Sequence, residues 1–388
     1  MLLIRYWKFL APALVLSALA LFFSAMVFFE PAARAQKLKQ LPPPPPGPRF
    51  KPRPTPTPAP TPEPEYEVIK VSSNLVVVPV SVTNPQGQPV LGLKQTDFHI
   101  EEDGHAQEIS QLGDPEQVPL DIALLIDVSS SVTERFAFEE QAATRFLKQV
   151  LRPTDHATVY AIDRTPRLEQ ARSTADIATA RLMSIKAATG PSPTAFYDTV
   201  IEAARYLGKN TPEQNRRVIV VISDGEDNFS NRVRDSSLAA YRAMQADEND
   251  NSPAAKTRLR TASENALQAG HRKAQAEVQQ EVQKANAVFY SINPSGESIK
   301  LNVISTRAQN AMQQLAGSTG GTAFVPAQLS DLEAVFSRIL NELRAQYLLQ
   351  YYSSDKSGGN AFRRIAVTTP AQAQLRVRAR EGYYPKTK

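Results

Sequence analysis

Residues 120–131 read Leu-Asp-Ile-Ala-Leu-Leu-Ile-Asp-Val-Ser-Ser-Ser, and the reading of this stretch decides the fold. Positions 120–126 are a short apolar run broken only by Asp121, the pattern of a strand buried on both faces. Helical periodicity comes next over 131–151, through Phe136, Phe138, Ala142, Phe146 and Val150. A buried strand that runs straight into a helix opens a strand–helix–strand unit, and the alternation continues to residue 346. Strands are predicted at 158–162, 217–223, 287–292, 322–325 and 347–351, and helices at 174–187, 195–208, 305–316 and 329–346. Arg217-Val-Ile-Val-Val-Ile-Ser223 is the most β-branched run in the chain and is placed at the centre of the sheet. The expected fold class is α/β, a doubly wound and mostly parallel, Rossmann-like sheet with helices on both faces. Ligands of such sheets sit at the carboxyl ends of the strands, beside the topological switch point.

One passage breaks the rhythm. Between residues 230 and 285 the chain is long, helical and polar, interrupted at Asp247-Glu-Asn-Asp-Asn-Ser-Pro253. Its apolar positions are sparse: Leu238, Tyr241 and Met244 on the first piece, Leu267, Ala274, Val278 and Val282 on the second. A stripe that narrow predicts a projecting helical hairpin over 231–284, either a partner surface or an ornament.

The flanks differ in composition. Residues 66–117 are rich in valine and turn signals, with Val76, Val78, Val80 and Val82 alternating on one face. Pro79 within that run predicts an edge strand or a bulge. This segment is too small to be stable alone. A partner is offered by 347–388, where 363–368 and 374–380 read as strands. On the second, Leu375, Val377 and Ala379 face one way and Arg376, Arg378 and Arg380 the other, the latter expected to be a solvated face. Together the two flanks are expected to build a small β unit beside the 118–346 domain.

At the other end, Arg5 and Lys8 precede an apolar run over 9–29, and Ala33-Arg34-Ala35 lies just beyond it. This is a secretory signal over 1–35 with cleavage before Gln36, or an uncleaved anchor, since the run is long enough to span a bilayer. Either version exports the rest of the chain. In the 36–65 linker, 13 of the 23 residues from Pro42 to Pro64 are proline. Such a chain forms extended polyproline II reaching roughly 70 Å, a stiff spacer in preference to an unstructured linker or a ligand for a proline-binding module.

Composition excludes several function classes. With 42% hydrophobic and 21% charged residues the chain can bury a real core. A net charge of +5, scattered rather than clustered, gives no nucleic-acid footprint. The absence of cysteine removes disulfides, thiolate metal sites, iron–sulfur clusters, thiol nucleophiles and a lipoprotein anchor. His99, His105, His156 and His271 have no metal-ligand spacing among them. No nucleophile elbow, P-loop, paired catalytic carboxylates or HExxH occurs, so the chain is expected not to be an enzyme.

The chemistry gathers at three strand ends. Asp127, Ser129 and Ser131 leave the 120–126 strand at i, i+2 and i+4 and can present one carboxylate and two hydroxyls to a hard cation. On its own this pattern is ordinary, because serines cap helices. Two further pieces match it. Asp224 lies just beyond the central strand, with Gly225 after it, and Thr194 precedes the 195–208 helix. Glu226 and Asp227 are expected to be solvated loop charges, or else to support the cation's ligands from behind. Asp198 either supports those ligands in the same way or is a carboxylate favoured in a helix's first turn.

These residues resemble the von Willebrand factor type A domain in its metal-ion-dependent adhesion site form, over about residues 118–346. Asp127, Ser129 and Ser131 match the family's first loop, Thr194 its second and Asp224 its third. The segment Val-Thr-Asn-Pro-Gln-Gly-Gln-Pro-Val-Leu-Gly-Leu, with Asp97-Phe98 and Glu102-Asp103-Gly104, is similar to the leader of exported bacterial VWFA-related proteins. So are Ser-Asp-Gly-Glu-Asp-Asn228 and Arg-Glu-Gly-Tyr383-Tyr-Pro. The 231–284 hairpin departs from the pattern, which has a short loop and one helix there. The resemblance implies a divalent cation, Mg²⁺ first and Mn²⁺ or Ca²⁺ next, held by these five side chains, one carboxylate acting through water. Two carboxylates under-neutralise such an ion and leave a coordination position for an Asp or Glu of a protein partner. The expected function is an exported, metal-ion-dependent protein-binding module. The alternative is an envelope scaffold whose metal only stabilises the fold. No nucleic-acid partner is expected, and a membrane contact only through the N-terminal anchor.

Overall fold

The computed structural model describes residues 75–129, 135–190, 192–245, 252–296, 303–355 and 359–385. The expected export segment at 1–35, the proline spacer at 36–65 and Ser131 lie outside the described residues.

The central sheet contains β5 (Leu120–Asp127), β6 (His156–Ile162), β7 (Arg167–Ser173), β8 (Arg216–Ile222), β9 (Ala287–Ile292) and β10 (Ala323–Phe324), in the order β10-β9-β8-β5-β6-β7. All pair in parallel except β7, an antiparallel edge strand on β6 that the sequence pattern did not predict. Every residue of β5 and β8 is buried. Their side chains alternate between two cores, as the pleat requires. Ile122, Leu124, Ile126, Val218, Val220 and Ile222 pack under α1 (Phe136–Val150), α2 (Ala175–Leu182) and α7 (Leu332–Arg344). Ala123, Leu125, Ile219 and Val221 pack under α3 (Phe196–Asn210), the C-terminal part of α5 (Pro253–Lys284) and α6 (Val303–Thr319). The expected doubly wound α/β fold is the one observed.

The polar passage is a pair of helices, α4 (Asn231–Gln245) and α5. Its packing differs from the expected stripe. Leu238 and Tyr241 are 46% and 59% exposed, whereas Val233 and Ala240 are buried. The reason is close approach: a Cβ on Gly270 of α5 would sit 2.0 Å from Ser236 Oγ, so α4 seats its small residues, not its large ones, against α5. The C-terminal part of α5 buries Ala274, Val278 and Val282 in the sheet's second core and serves as an ordinary covering helix.

The two flanks meet in antiparallel sheets. One comprises β1 (Leu75–Thr83), β4 (Ile109–Gly113), β11 (Tyr347–Tyr352) and β13 (Arg376–Ala379), in the order β13-β1-β11-β4. The other comprises β2 (His99–Glu102), β3 (His105–Gln107), β12 (Arg363–Thr368) and β14 (Gly382–Tyr383), in the order β14-β12-β2-β3. They share a core that includes Val76, Val78, Val80, Val82, Phe98, Ile100, Leu349, Tyr351 and Ile365. Residues 347–351 pair antiparallel with β1 and β4. Two expectations are corrected here. Strand β1 is not an edge strand, because β11 and β13 flank it; Pro79 is tolerated since pairing with β13 begins only at Val80. The arginine face of β13 is only partly solvated: Arg378 forms an ion pair with Glu342 of α7, and Arg380 donates to Asn286 Oδ1 (2.7 Å) and to the Val77 carbonyl (3.0 Å).

At the centre of this β unit sits the buried Glu102 carboxylate. It accepts hydrogen bonds from Tyr351 Oη (2.6 Å), Ser353 Oγ (2.6 Å), Tyr383 Oη (3.1 Å) and Arg363 Nη1 (3.1 Å). One N-terminal residue is thereby bound by four C-terminal ones. Glu102→Ala strips two tyrosine hydroxyls and Ser353 of their acceptor and leaves the buried Arg363 with Asp355 (3.0 Å) as its remaining counter-charge, and is expected to cost about 3 kcal/mol in denaturant unfolding. Glu102→Gln keeps an acceptor and is expected to cost less. Equal stability of wild type and Glu102→Ala would show that the two flanks do not depend on this carboxylate.

Candidate functional site

Three loops leave the carboxyl edge of the central sheet and are tied together by side chains. The first begins at Asp127, the fully buried last residue of β5. Its Oδ1 accepts the Ser129 amide (2.9 Å) and its Oδ2 accepts Ser223 Oγ (2.7 Å). Ser223 is the residue after β8, so this bond joins the ends of the two central strands. Ser223 Oγ in turn accepts the Gly225 amide (3.0 Å), which folds the third loop back on itself. Gly225 has φ +76°, a left-handed turn that favours glycine.

Asp224 is partly exposed, and its Oδ1 accepts the Glu226 amide (3.0 Å). The second loop carries the buried Thr194, whose amide donates to Asn228 Oδ1 (2.7 Å) and whose carbonyl accepts the Asn228 and Phe229 amides (both 3.1 Å). Loops two and three are therefore zipped along their backbones. Asp127, Ser129, Thr194 and Asp224 thus lie in three interlocked loops at one edge of the sheet.

The carboxylates considered as supports for the ligands have other engagements. Asp227 is buried, not solvated: it accepts the Tyr197 amide (2.8 Å) near the start of α3, the Phe229 and Ser230 amides (3.3 and 3.0 Å), and the Ser230 hydroxyl. Its carboxylate satisfies amides that a helix start leaves open. Asp198 accepts the Asn231 amide (2.9 Å) and Arg232 Nη1 (2.6 Å), and Arg232 also reaches Glu277 of α5 (2.7 Å). Asp198 therefore pins the α4–α5 pair to α3. Glu226 accepts Ser305 Oγ (2.7 Å) of α6.

The electrostatics of the edge are unfavourable for anions. Burial pushes the Asp127 carboxyl up from its ordinary value. Burial, and then repulsion from Asp127 and Glu226, pushes Asp224 from 3.8 to about 6. A third acid, not anticipated from the sequence, is Glu139 of α1. Its side chain is fully buried and neither oxygen has a hydrogen-bond partner among the described residues; the Arg135 Nε lies 3.6 Å away. Burial, and then the charges of Asp127 and Asp224, raise it from 4.5 to about 8. A signal existed: Glu139 falls on the apolar stripe of α1, three residues after Phe136 and four before Ala143, both buried. Ser223 and Asn228, the residues that lock the loops, were likewise not singled out by the sequence pattern.

Two buried or half-buried carboxylates that repel each other gain from a cation, and the hydroxyls of Ser129 and Thr194 add hard oxygen donors. Among the described residues no three His, Cys, Asp or Glu side chains cluster as a metal site, and the set read from the sequence asks for only two carboxylates. The donors present fit a hard divalent ion. His271 is remote in role: it is buried on α5, its pKa is lowered to about 4 by burial, and its Nδ1 lies 3.4 Å from the Tyr197 hydroxyl.

The architecture is that expected of a von Willebrand factor type A domain. No protein-family model and no curated protein matches the chain. Solved structures do resemble it. A von Willebrand factor type A protein from Catenulispora acidiphila is 13% identical, with a TM-score of 0.39, over 71% of this chain and 51% of that one. The vWF domain of the type V pili tip protein Mfa5 from Porphyromonas gingivalis is 13% identical, with a TM-score of 0.39, over 57% of this chain and 94% of that one. Proximal thread matrix protein 1 from the mussel byssus, with a zinc-occupied MIDAS motif, is 12% identical, with a TM-score of 0.38, over 61% of this chain. The chain spans about half the length of the mussel protein, 48%.

Carboxyls whose folded pKa lies above the unfolded value stabilise the fold below the unfolded pKa and lose that contribution as pH rises through the folded one. Metal-free protein is therefore expected to lose stability from about pH 4.5 to about pH 8 as Glu139 and Asp224 are forced to ionise. Added Mg²⁺ should offset the loss, raising Tm by a margin that grows between pH 5 and pH 8. Melting curves with Mg²⁺ and with chelator test this; a metal-induced shift that is absent or flat across that window would contradict it.

Proposed function

We propose that the chain is an exported, metal-ion-dependent protein-binding module of adhesion type. The observation that carries this reading is the meeting of two buried strand ends, Asp127 and Ser223-Asp224, through the Ser223–Asp127 hydrogen bond. In this reading Asp127, Ser129, Ser131, Thr194 and Asp224 hold a divalent cation, Mg²⁺ before Mn²⁺ or Ca²⁺. The ion supplies an open coordination position for one carboxylate oxygen of a partner's Asp or Glu. The protein's task is to keep those oxygens aimed at one point and to withhold a third ligating carboxylate, so that the partner's charge is wanted.

The geometry favours binding over a purely structural metal. The loops are already cross-tied by Ser223, Asn228 and Asp227, which leaves the cation a task other than holding them together. No histidine lies in the three loops, and we assign no catalytic role. Export rests on the sequence alone: the basic start, the apolar run over 9–29 and Ala33-Arg34-Ala35. Among the described residues no helix is long and apolar enough to cross a membrane.

The deciding experiment is a pull-down from the native envelope extract with residues 66–388 as bait, with Mg²⁺ and with chelator. Asp127→Ala and Thr194→Ala, each checked for an intact melting transition, are expected to weaken capture on the order of 100-fold, as loss of metal-site side chains does. Chelation should match them. Capture of the same proteins regardless of metal and substitution would sink the adhesion reading; loss of stability without loss of capture would favour the scaffold.

A further inference from the structure

A second site lies away from the three loops. The β10 edge of the sheet is three strand spacings from β5, about 14 Å. Beside it, α7, β1 and β13 enclose a cleft of about 440 Å³. Three guanidinium groups line it, Arg338 of α7 and Arg376 and Arg378 of β13, with one carboxylate, Glu342. That carboxylate is heavily engaged: besides Arg378 it accepts the Tyr290 hydroxyl (2.8 Å) and Ser81 Oγ (3.4 Å). Arg338 has no carboxylate partner among the described residues and lies over the Phe324 ring, 5.0 Å from its centroid. The Arg376 side chain has no ion pair or hydrogen bond among the described residues. Two polar atoms at the cleft wall are buried with no hydrogen-bond partner there, Thr322 Oγ1 and Arg378 Nε.

Three cations against one shared anion leave the cleft lining two positive charges in excess. Unpartnered arginines on an open surface are ordinary, because water solvates them. Here they line one concave site of ligand size. Guanidinium forks match the paired oxygens of carboxylates and phosphates. The cleft also joins the α/β domain to the β unit, so a ligand there touches both.

We propose that this cleft is a metal-independent binding site for an oxyanion bearing two or more negative charges, gripped by Arg338 and Arg376. Its ligand chemistry is that of a polycarboxylate or phosphate, carried by a small molecule or by the side chains of an acidic peptide. The site is independent of the cation loops and stands or falls without them.

The test uses the chain from residue 36, stripped of metal and then dialysed into metal-free, chelator-free buffer at 150 mM salt, so that the cation site contributes nothing. Calorimetric titrations with inorganic phosphate, with citrate and with a tetraglutamate peptide separate the sources. Saturable binding of at least one probe is expected, weakened about tenfold by Arg338→Gln and by Arg376→Gln and abolished in the double variant. Both side chains are exposed, so melting should be unchanged. Lys273→Gln, an exposed cation on α5, is the control and should bind as wild type. Saturation by phosphate or citrate identifies a small-molecule site, and saturation by the peptide alone identifies a protein ligand. No saturable binding of any probe, undiminished binding in the double variant, or equal loss in Lys273→Gln overturns the proposal.

Discussion

The carboxyl edge of the sheet is organised by one constraint: a carboxylate, Asp127, is carried out of water by a strand buried along its whole length. A lone buried carboxylate is costly, and the chain meets that cost with local donors. The Ser129 amide and the Ser223 hydroxyl each take one oxygen. Because Ser223 belongs to the end of the neighbouring central strand, the same bond that solvates Asp127 also fixes the relative position of the first and third loops. The third loop then grips the second through Asn228. Among the described residues the three loops are joined because Asp127 takes its hydrogen bonds from the Ser129 amide and the Ser223 hydroxyl.

That solution is incomplete, and the shortfall is informative. Asp224 and Glu139 remain near Asp127 with their carboxyls held above the ordinary range by burial and mutual repulsion. A structural core would have replaced Glu139 by an apolar residue, since its position on α1 lies between buried Phe136 and Ala143. The positive charge that faces Glu139 is the Arg135 guanidinium, 3.6 Å away on the same helix turn.

The same economy of pinning appears elsewhere. Asp198, Arg232 and Glu277 link α3, α4 and α5 in sequence, so the long helical pair is held to the α3 start, close to the loops. Glu102 closes the β unit by binding residues from the C-terminal flank. In both cases a single buried or half-buried carboxylate joins segments far apart in the chain. With no cysteine available for a covalent tie, such charge-centred networks are the directional joints of this protein.

How much was legible beforehand depends on the range of the physics involved. Local periodicity reports burial directly, so the two-sided strands 120–126 and 217–223, the helices between them and the alternating valines of β1 could be read from the chain. The site loops were legible for the same reason: Asp127 and Asp224 each sit at the end of an apolar run, and Thr194 just before a helix. What only tertiary structure decided were the partners. Residues 347–352 have the apolar pattern of any strand, and that they pair with β1 and β4 rather than the β10 edge is written nowhere in that pattern. The arginines of β13 alternate as a solvated face would, yet Arg378 and Arg380 meet α7 and Asn286 because another layer lies beneath them. Leu238 and Tyr241 were expected inward and face outward, since helix contact at Gly270 admits only small side chains. Sequence pattern determines which residues leave water; which surface receives them is set by long-range packing, and a one-dimensional period carries no trace of it.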